Sequence, residues 1–136
     1  MSLKVTLKSN ERIVVGGASV KNIGGKVTTL LIENEVTLLR EKEIMREAEA
    51  DTPCKRVYFL TQLMYMDAPN LSKYHKLYWK LASDIIKAAP STLSLFETIS
   101  EHIYNGRYYQ ALKEIRKLIQ YEQKATTNAL KSNSGV

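Results

Sequence analysis

The sequence predicts an α+β protein, with a small N-terminal antiparallel β module of about five short strands followed by a helical module of about four helices. Three observations predict it. From Leu3 to Leu39 apolar side chains tend to alternate with polar ones and two glycine pairs punctuate the chain. After Pro53 the apolar positions recur at helical spacing, with no glycine until Gly106. Between these regions runs the most charge-dense part of the chain, rich in Glu, Lys and Arg. The expected organisation is a β module over residues 1–39, a charged connecting segment over 40–52, a helical module over 53–125 and a flexible tail over 126–136.

Leu3, Val5 and Leu7 alternate with Lys4, Thr6 and Lys8, the period of a strand with one buried face. Ser9-Asn10-Glu11 reads as a turn, and Arg12 to Val15 as a second strand. Gly16-Gly17 supplies the positive φ angles of a tight hairpin. Ala18 to Ile23 predicts a third strand, Gly24-Gly25 a turn, the β-branched stretch Lys26 to Ile32 a fourth strand, and Val36 to Leu39 a fifth. Such short strands suggest a meander or small barrel that buries too little to stand alone. The glycines read as hairpin chemistry, since no phosphate-cradling spacing is present.

Thr52-Pro53 marks a helix start. Threonine caps well, proline suits the first helical position, and a residue before proline is held extended, as a cap must be. Cys54, Val57 to Leu60 and Leu63 to Met66 cover nearly the whole circumference of this first helix, which is therefore expected to be buried on most sides. Asp67-Ala68-Pro69-Asn70 breaks the chain. Tyr74, Leu77, Tyr78, Leu81 and Ile85 then form an apolar stripe, with Lys73, Lys76, Lys80 and Lys87 in the opposite sector and Trp79 and His75 beside it. A lysine row beside an aromatic suits phosphates and a stacked base, although a solvated helix face has the same pattern. Pro90-Ser91 ends that helix. Leu95, Phe96, Ile99 and Ile103 predict a third helix, stopped by Asn105-Gly106, and Arg107 to Gln123 a fourth. The last two form a hairpin with a single tetratricopeptide-like turn, short of the repeats a solenoid needs.

The chain of 136 residues carries a formal charge of +6, an excess that fits nucleic acid, an acidic protein or a membrane surface without choosing among them. Most of the excess is helical: residues 1–50 hold eight Lys or Arg against seven Asp or Glu, and residues 51–136 hold twelve against seven. Cys54 is the only cysteine, which excludes an internal disulfide and fits a reducing compartment. No secretory leader and no run long enough to span a bilayer is read, so a cytoplasmic protein without membrane attachment is expected. His75 and His102 stand apart, and the carboxylates cluster only among Glu41, Glu43, Glu47 and Glu49, interleaved with Arg40, Lys42 and Arg46, where they can pair along a helix. No catalytic constellation, cofactor site or metal site is predicted.

Several segments are familiar in order. They are the N-terminal Met1 to Lys8, Glu11 to Val15, Thr29 to Asn34, Leu39 to Ile44, Thr52-Pro53, Arg56 to Phe59, Gln62 to Tyr65, Tyr108 to Leu112 and Arg116 to Ile119. Together they resemble the flagellum biosynthesis repressor FlbT family over nearly the whole chain. The resemblance implies a post-transcriptional regulator of flagellin that acts at the 5′ untranslated region of flagellin mRNA, on translation or decay, alongside the small regulator FlaF. The turn Asn22 to Lys26 is less basic than the family's, which weakens the case for an RNA contact there. The β module is also similar in strand order to the carbon storage regulator CsrA, an RNA-binding homodimer. That similarity implies a homodimer in which Arg40 is the RNA-contacting arginine and Lys4 lies near it; a plain ion pair of Arg40 with Glu43 or Glu47 is the alternative.

The expected RNA contacts are thus Lys4, Arg40 and Lys42, with Lys73, Lys76 and Lys80 as a second surface. The expected partners are the flagellin mRNA leader, FlaF and flagellin. The rival expectation is a protein-interaction adaptor that docks FlaF or flagellin through its helices and affects mRNA only indirectly.

Overall fold

The computed structural model describes the backbone of residues 2–134 and the side chains of residues 2–127. The chain forms two compact units, Met1–Ile44 and Met45–Val136. The first holds five strands, β1 (Leu3–Leu7), β2 (Arg12–Val15), β3 (Ala18–Lys21), β4 (Thr28–Ile32) and β5 (Leu38–Arg40). The second holds four α-helices, α1 (Pro53–Met66), α2 (Leu71–Ala88), α3 (Leu93–Tyr104) and α4 (Tyr108–Ser134). The α+β class and the order of elements agree with the sequence reading.

The strands do not make a meander. They lie in two antiparallel sheets, β1 with β4 and β3 with β2 with β5, so only β2 and β3 are neighbours both in sequence and in a sheet. The hairpin between those two turns at Gly16 and Gly17, with φ of +55° and +87°. What diverts β1 is the Ser9–Glu11 turn, where Asn10 takes φ +65°. Asn22 locks it: the Asn10 N–H donates to the Asn22 carbonyl at 2.7 Å. The Asn22 side-chain amide donates to the carbonyls of Leu7 (3.1 Å), Lys8 (3.2 Å) and Lys26 (2.8 Å). One side chain therefore holds the end of β1 and the approach to β4 together, and Leu7 comes to lie opposite Thr28. Val5, Leu7 and Ile13 form the small core, flanked by Val15, Leu30, Ile32 and Leu38.

The charged segment is not one helix. It makes two separate 3-10 turns, Glu41–Glu43 and Glu47–Glu49, and the side chain of Glu43 is buried. In the second unit α1 packs against α2 and α4, and α3 packs against α4. Thr52 is extended (φ −127°, ψ 159°) and its side chain accepts the Lys55 N–H, as a cap should. A carboxylate from the far end of the unit supports the same turn. Glu122 on α4 accepts the Thr52 hydroxyl at 2.5 Å and the Cys54 N–H at 3.1 Å.

The core joins Val57, Tyr58 and Met64 of α1 to Tyr78 and Ala82 of α2, Phe96, Ile99 and Ile103 of α3, and Leu112, Ile115 and Leu118 of α4. Buried Gln62 exchanges two hydrogen bonds with the backbone of Met45, accepting its N–H at 2.8 Å and donating to its carbonyl at 2.9 Å. Gly106, at φ +72°, ends α3 as expected. The helix read as ending near Gln123 instead runs to Ser134. No glycine or proline interrupts it before Gly135, and Ala125, Ala129, Leu130 and Lys131 all favour helix. The last two residues of the expected tail lie outside the described residues.

Candidate nucleic-acid interface

Arg40 closes β5, directly opposite Ile13 of β2. Its guanidinium reaches across to the other sheet, where Nη1 donates to the Thr6 carbonyl of β1 at 3.1 Å and lies 3.4 Å from Glu11 Oε2. The acidic partner is thus Glu11 and not the expected Glu43 or Glu47; Glu43 instead accepts the Arg40 backbone N–H at 2.9 Å. Glu11 also accepts the Lys8 N–H at 2.9 Å. That hydrogen bond, with the Arg40 guanidinium beside it, holds the Glu11 carboxyl below the usual carboxylate range. The Arg40 side chain is 31% exposed and works as a tie between two sheets. Lys4, on the outward face of β1 opposite Leu31, is exposed, as is Lys42 in the first 3-10 turn.

In α2 the pattern is cleaner. Tyr78, Ala82 and Ile85 are buried, and Lys73, Lys76, Lys80 and Lys87 are exposed on the opposite side. Among the described residues, none of these four has an acidic partner within salt-bridge distance, although Asp84 lies in the same helix. Trp79 stands at the edge of this face, 49% exposed. Its ring is held edge-on to Tyr78 at 5.1 Å and 74°, and Tyr78 is fixed in turn by a 2.8 Å bond between its hydroxyl and Ser100 Oγ. A row of flexible cations beside a half-open, orientated indole can follow a phosphate chain and stack a base.

The other edge of the lysine row borders a groove of about 510 Å³ between α1 and α2. Phe59, Leu60, Leu77 and Leu81 form its floor, and Arg56, Lys80, Glu47 and Asp84 its rim. Leu77, read from the sequence as a core position, is 44% exposed at this groove. The stripe containing it is wider than the contact surface of the neighbouring helices, and the excess forms one wall.

The two histidines serve other side chains. His75 Nε2 lies 3.4 Å from the Tyr108 hydroxyl, and His102 Nδ1 accepts from Arg107 Nε at 3.1 Å. The Cys54 thiol is buried, and burial together with Glu122 pushes it up to about 12, so it is held as a neutral thiol. Among the described residues, no helix is long and apolar enough to cross a membrane. Sequence reasoning missed Glu11 as the partner of Arg40, because Glu11 sits in the turn between β1 and β2, far from β5 in the chain. It also missed the groove, although the continuous apolar coverage of α1 was a signal that some of it would remain open.

The family model described as flagellar protein FlbT matches residues 3–126. A Bradyrhizobium diazoefficiens protein named probable flagellum biosynthesis repressor protein FlbT 1 is 43% identical over 124 residues, covering 91% of this chain and 84% of its own. A protein of Rhodopseudomonas palustris with the corresponding name is 40% identical over 90% of this chain and 96% of its own. The flagellum biosynthesis repressor protein FlbT of Caulobacter vibrioides is 34% identical over 90% and 87%. No solved structure matches. With a family model spanning most of its length and relatives this similar end to end, the chain belongs to the FlbT family of flagellar proteins.

Proposed function

We propose that this protein is a cytoplasmic post-transcriptional regulator of flagellin synthesis that binds the 5′ untranslated region of flagellin mRNA and controls its translation or decay. The relatives are named as repressors, which favours repression as the sign. The observation that carries the RNA reading is the outer face of α2, where Lys73, Lys76 and Lys80 project beside Trp79. The lysines meet phosphates, the indole stacks an unpaired base, and Lys4 and Lys42 add exposed charge on the β unit. Arg40 shapes that unit by tying β1 to β5.

The test is a fluorescence-anisotropy titration of a labelled flagellin leader transcript over a series of salt concentrations. Single-stranded binding weakens by a slope of about 0.7 in log affinity for each phosphate contact. The variant Lys73→Gln/Lys76→Gln/Lys80→Gln is expected to reduce that slope by about 2, and Trp79→Ala to weaken binding with the slope retained. Absence of salt-dependent binding by the wild-type protein refutes the reading.

The α1–α2 groove favours a second reading, an adaptor for FlaF. An apolar floor with charges of both signs on its rim suits an amphipathic helix. In that case Leu77→Glu abolishes FlaF capture, whereas Lys73→Gln/Lys76→Gln, which leaves the groove lining untouched, keeps it intact.

A further inference from the structure

The lysine face of α2 is not alone. At about 100° per residue, Lys113, Arg116, Lys117 and Lys124 fall within one sector of α4, opposite buried Ala111, Leu112, Ile115 and Leu118. All four cations are exposed, and they extend over about 16 Å of helix at 1.5 Å per residue. Beside them stand the amides of Gln110 and Gln120 and the half-buried ring of Tyr109. Acidic side chains oppose it weakly. Glu114 stands on its flank and pairs with Lys117 at 3.1 Å, and Glu122 turns inward to hold the start of α1.

Two cations rest on aromatic rings. Lys113 Nζ lies 4.9 Å from the centre of the Tyr109 ring, and the Arg116 guanidinium lies 5.9 Å from that of Tyr58. Arg116 Nη2 also donates to the Tyr58 hydroxyl at 3.4 Å. These contacts place the charge along the helix while leaving it exposed.

We infer that this face of α4 is a second single-stranded RNA surface, on which Lys113, Lys117 and Lys124 contact phosphates beside the ring-supported Arg116. The inference rests on the RNA reading given above and adds a surface to it. The chemistry of the face selects the partner. A membrane-surface helix inserts a continuous apolar flank, and here only the single rings of Tyr109 and Tyr121 stand at the cationic sector. Protein interfaces deplete lysine at their centres, where this face concentrates it. A phosphate backbone asks only for a line of cations with polar groups between them.

The variant Lys113→Gln/Lys117→Gln/Lys124→Gln is expected to lower the salt slope for the flagellin leader by about 2, and so to weaken binding about 100-fold at 0.1 M salt. The matching lysine-to-arginine variant is expected to bind as the wild type does. Photocrosslinking of the wild-type protein to the same transcript is expected to label peptides within 109–124, which tests the inference even if the glutamine variant misfolds. If the glutamine variant is folded and keeps the wild-type affinity and slope, or if crosslinks fall only elsewhere, the α4 surface is wrong and the α2 reading survives. If the wild-type protein binds no leader RNA, or binds anionic vesicles instead, both fall together.

Discussion

Replacing Glu122 with alanine tests whether α4 holds the beginning of α1. The carboxylate accepts the Cys54 N–H at 3.1 Å and the Thr52 hydroxyl at 2.5 Å, while Thr52 itself accepts the Lys55 N–H at 3.2 Å. Hydrogen bonds to a charged acceptor contribute roughly 1.5–3 kcal/mol each. Glu122 is only half-buried, so about 1 kcal/mol each is the fairer figure after solvent screening. The expected loss is therefore about 2 kcal/mol, or about 8 °C in Tm for a chain of this size. Urea unfolding followed by circular dichroism at neutral pH measures it. Glu122→Gln, which keeps one acceptor oxygen, should lose about half as much. Thr52→Ala removes a cap and should cost about 1 kcal/mol. Because the two residues share a network, the double variant should be less destabilised than the sum of the singles, with a coupling of about 1 kcal/mol. A loss below about 0.5 kcal/mol for Glu122→Ala, or strict additivity in the cycle, refutes the capping role.

Two further outcomes follow from buried or tied groups. The Cys54 thiol is raised from 9.0 to about 12, chiefly by burial, and the Tyr78 hydroxyl from 10.0 to about 12, also by burial. Above pH 9 the unfolded chain releases a proton that the folded thiol retains, so this contribution to stability is present below pH 9 and is lost as pH rises toward 12. The slope is about 1.4 kcal/mol per pH unit for each such group. Urea unfolding between pH 9 and 10, before Tyr78 contributes, should therefore flatten in Cys54→Ala; an unchanged slope would count against a buried neutral thiol. Arg40→Leu removes the bond to the Thr6 carbonyl and should cost about 1 kcal/mol, read as earlier amide exchange in β1 and β5. It should change the RNA salt slope by less than one contact's share, about 0.7. A larger drop in slope would make Arg40 a direct contact.

The legible parts of this fold were those written in short-range pattern. Thr52-Pro53 announced α1, Gly16-Gly17 the β2–β3 hairpin, and the spacing of Tyr78, Ile85 and the lysines the two sides of α2. What stayed hidden depends on partners far apart in the chain. Nothing near Leu7 indicates that its strand will pair with Thr28, because the tie is the side chain of Asn22. The partner of Arg40 proved to be Glu11, some thirty residues away, whereas local charge pointed to Glu43 or Glu47. The length of α4 was misjudged for a different reason. Loss of apolar periodicity after Gln123 marks the end of core contact, and a helix can continue past that point on propensity alone.

The pairing of Gln62 with Met45 sets an asymmetry in what each position tolerates. Both bonds go to the backbone of residue 45, so the identity of that side chain is irrelevant to them, and any residue with an N–H could stand there. Proline alone is barred. At position 62 the reverse holds: asparagine is a methylene too short, glutamate has no donor for the carbonyl, and leucine would bury two backbone groups without partners. Two residues share one interaction, yet only one of them is tied to it by its side chain.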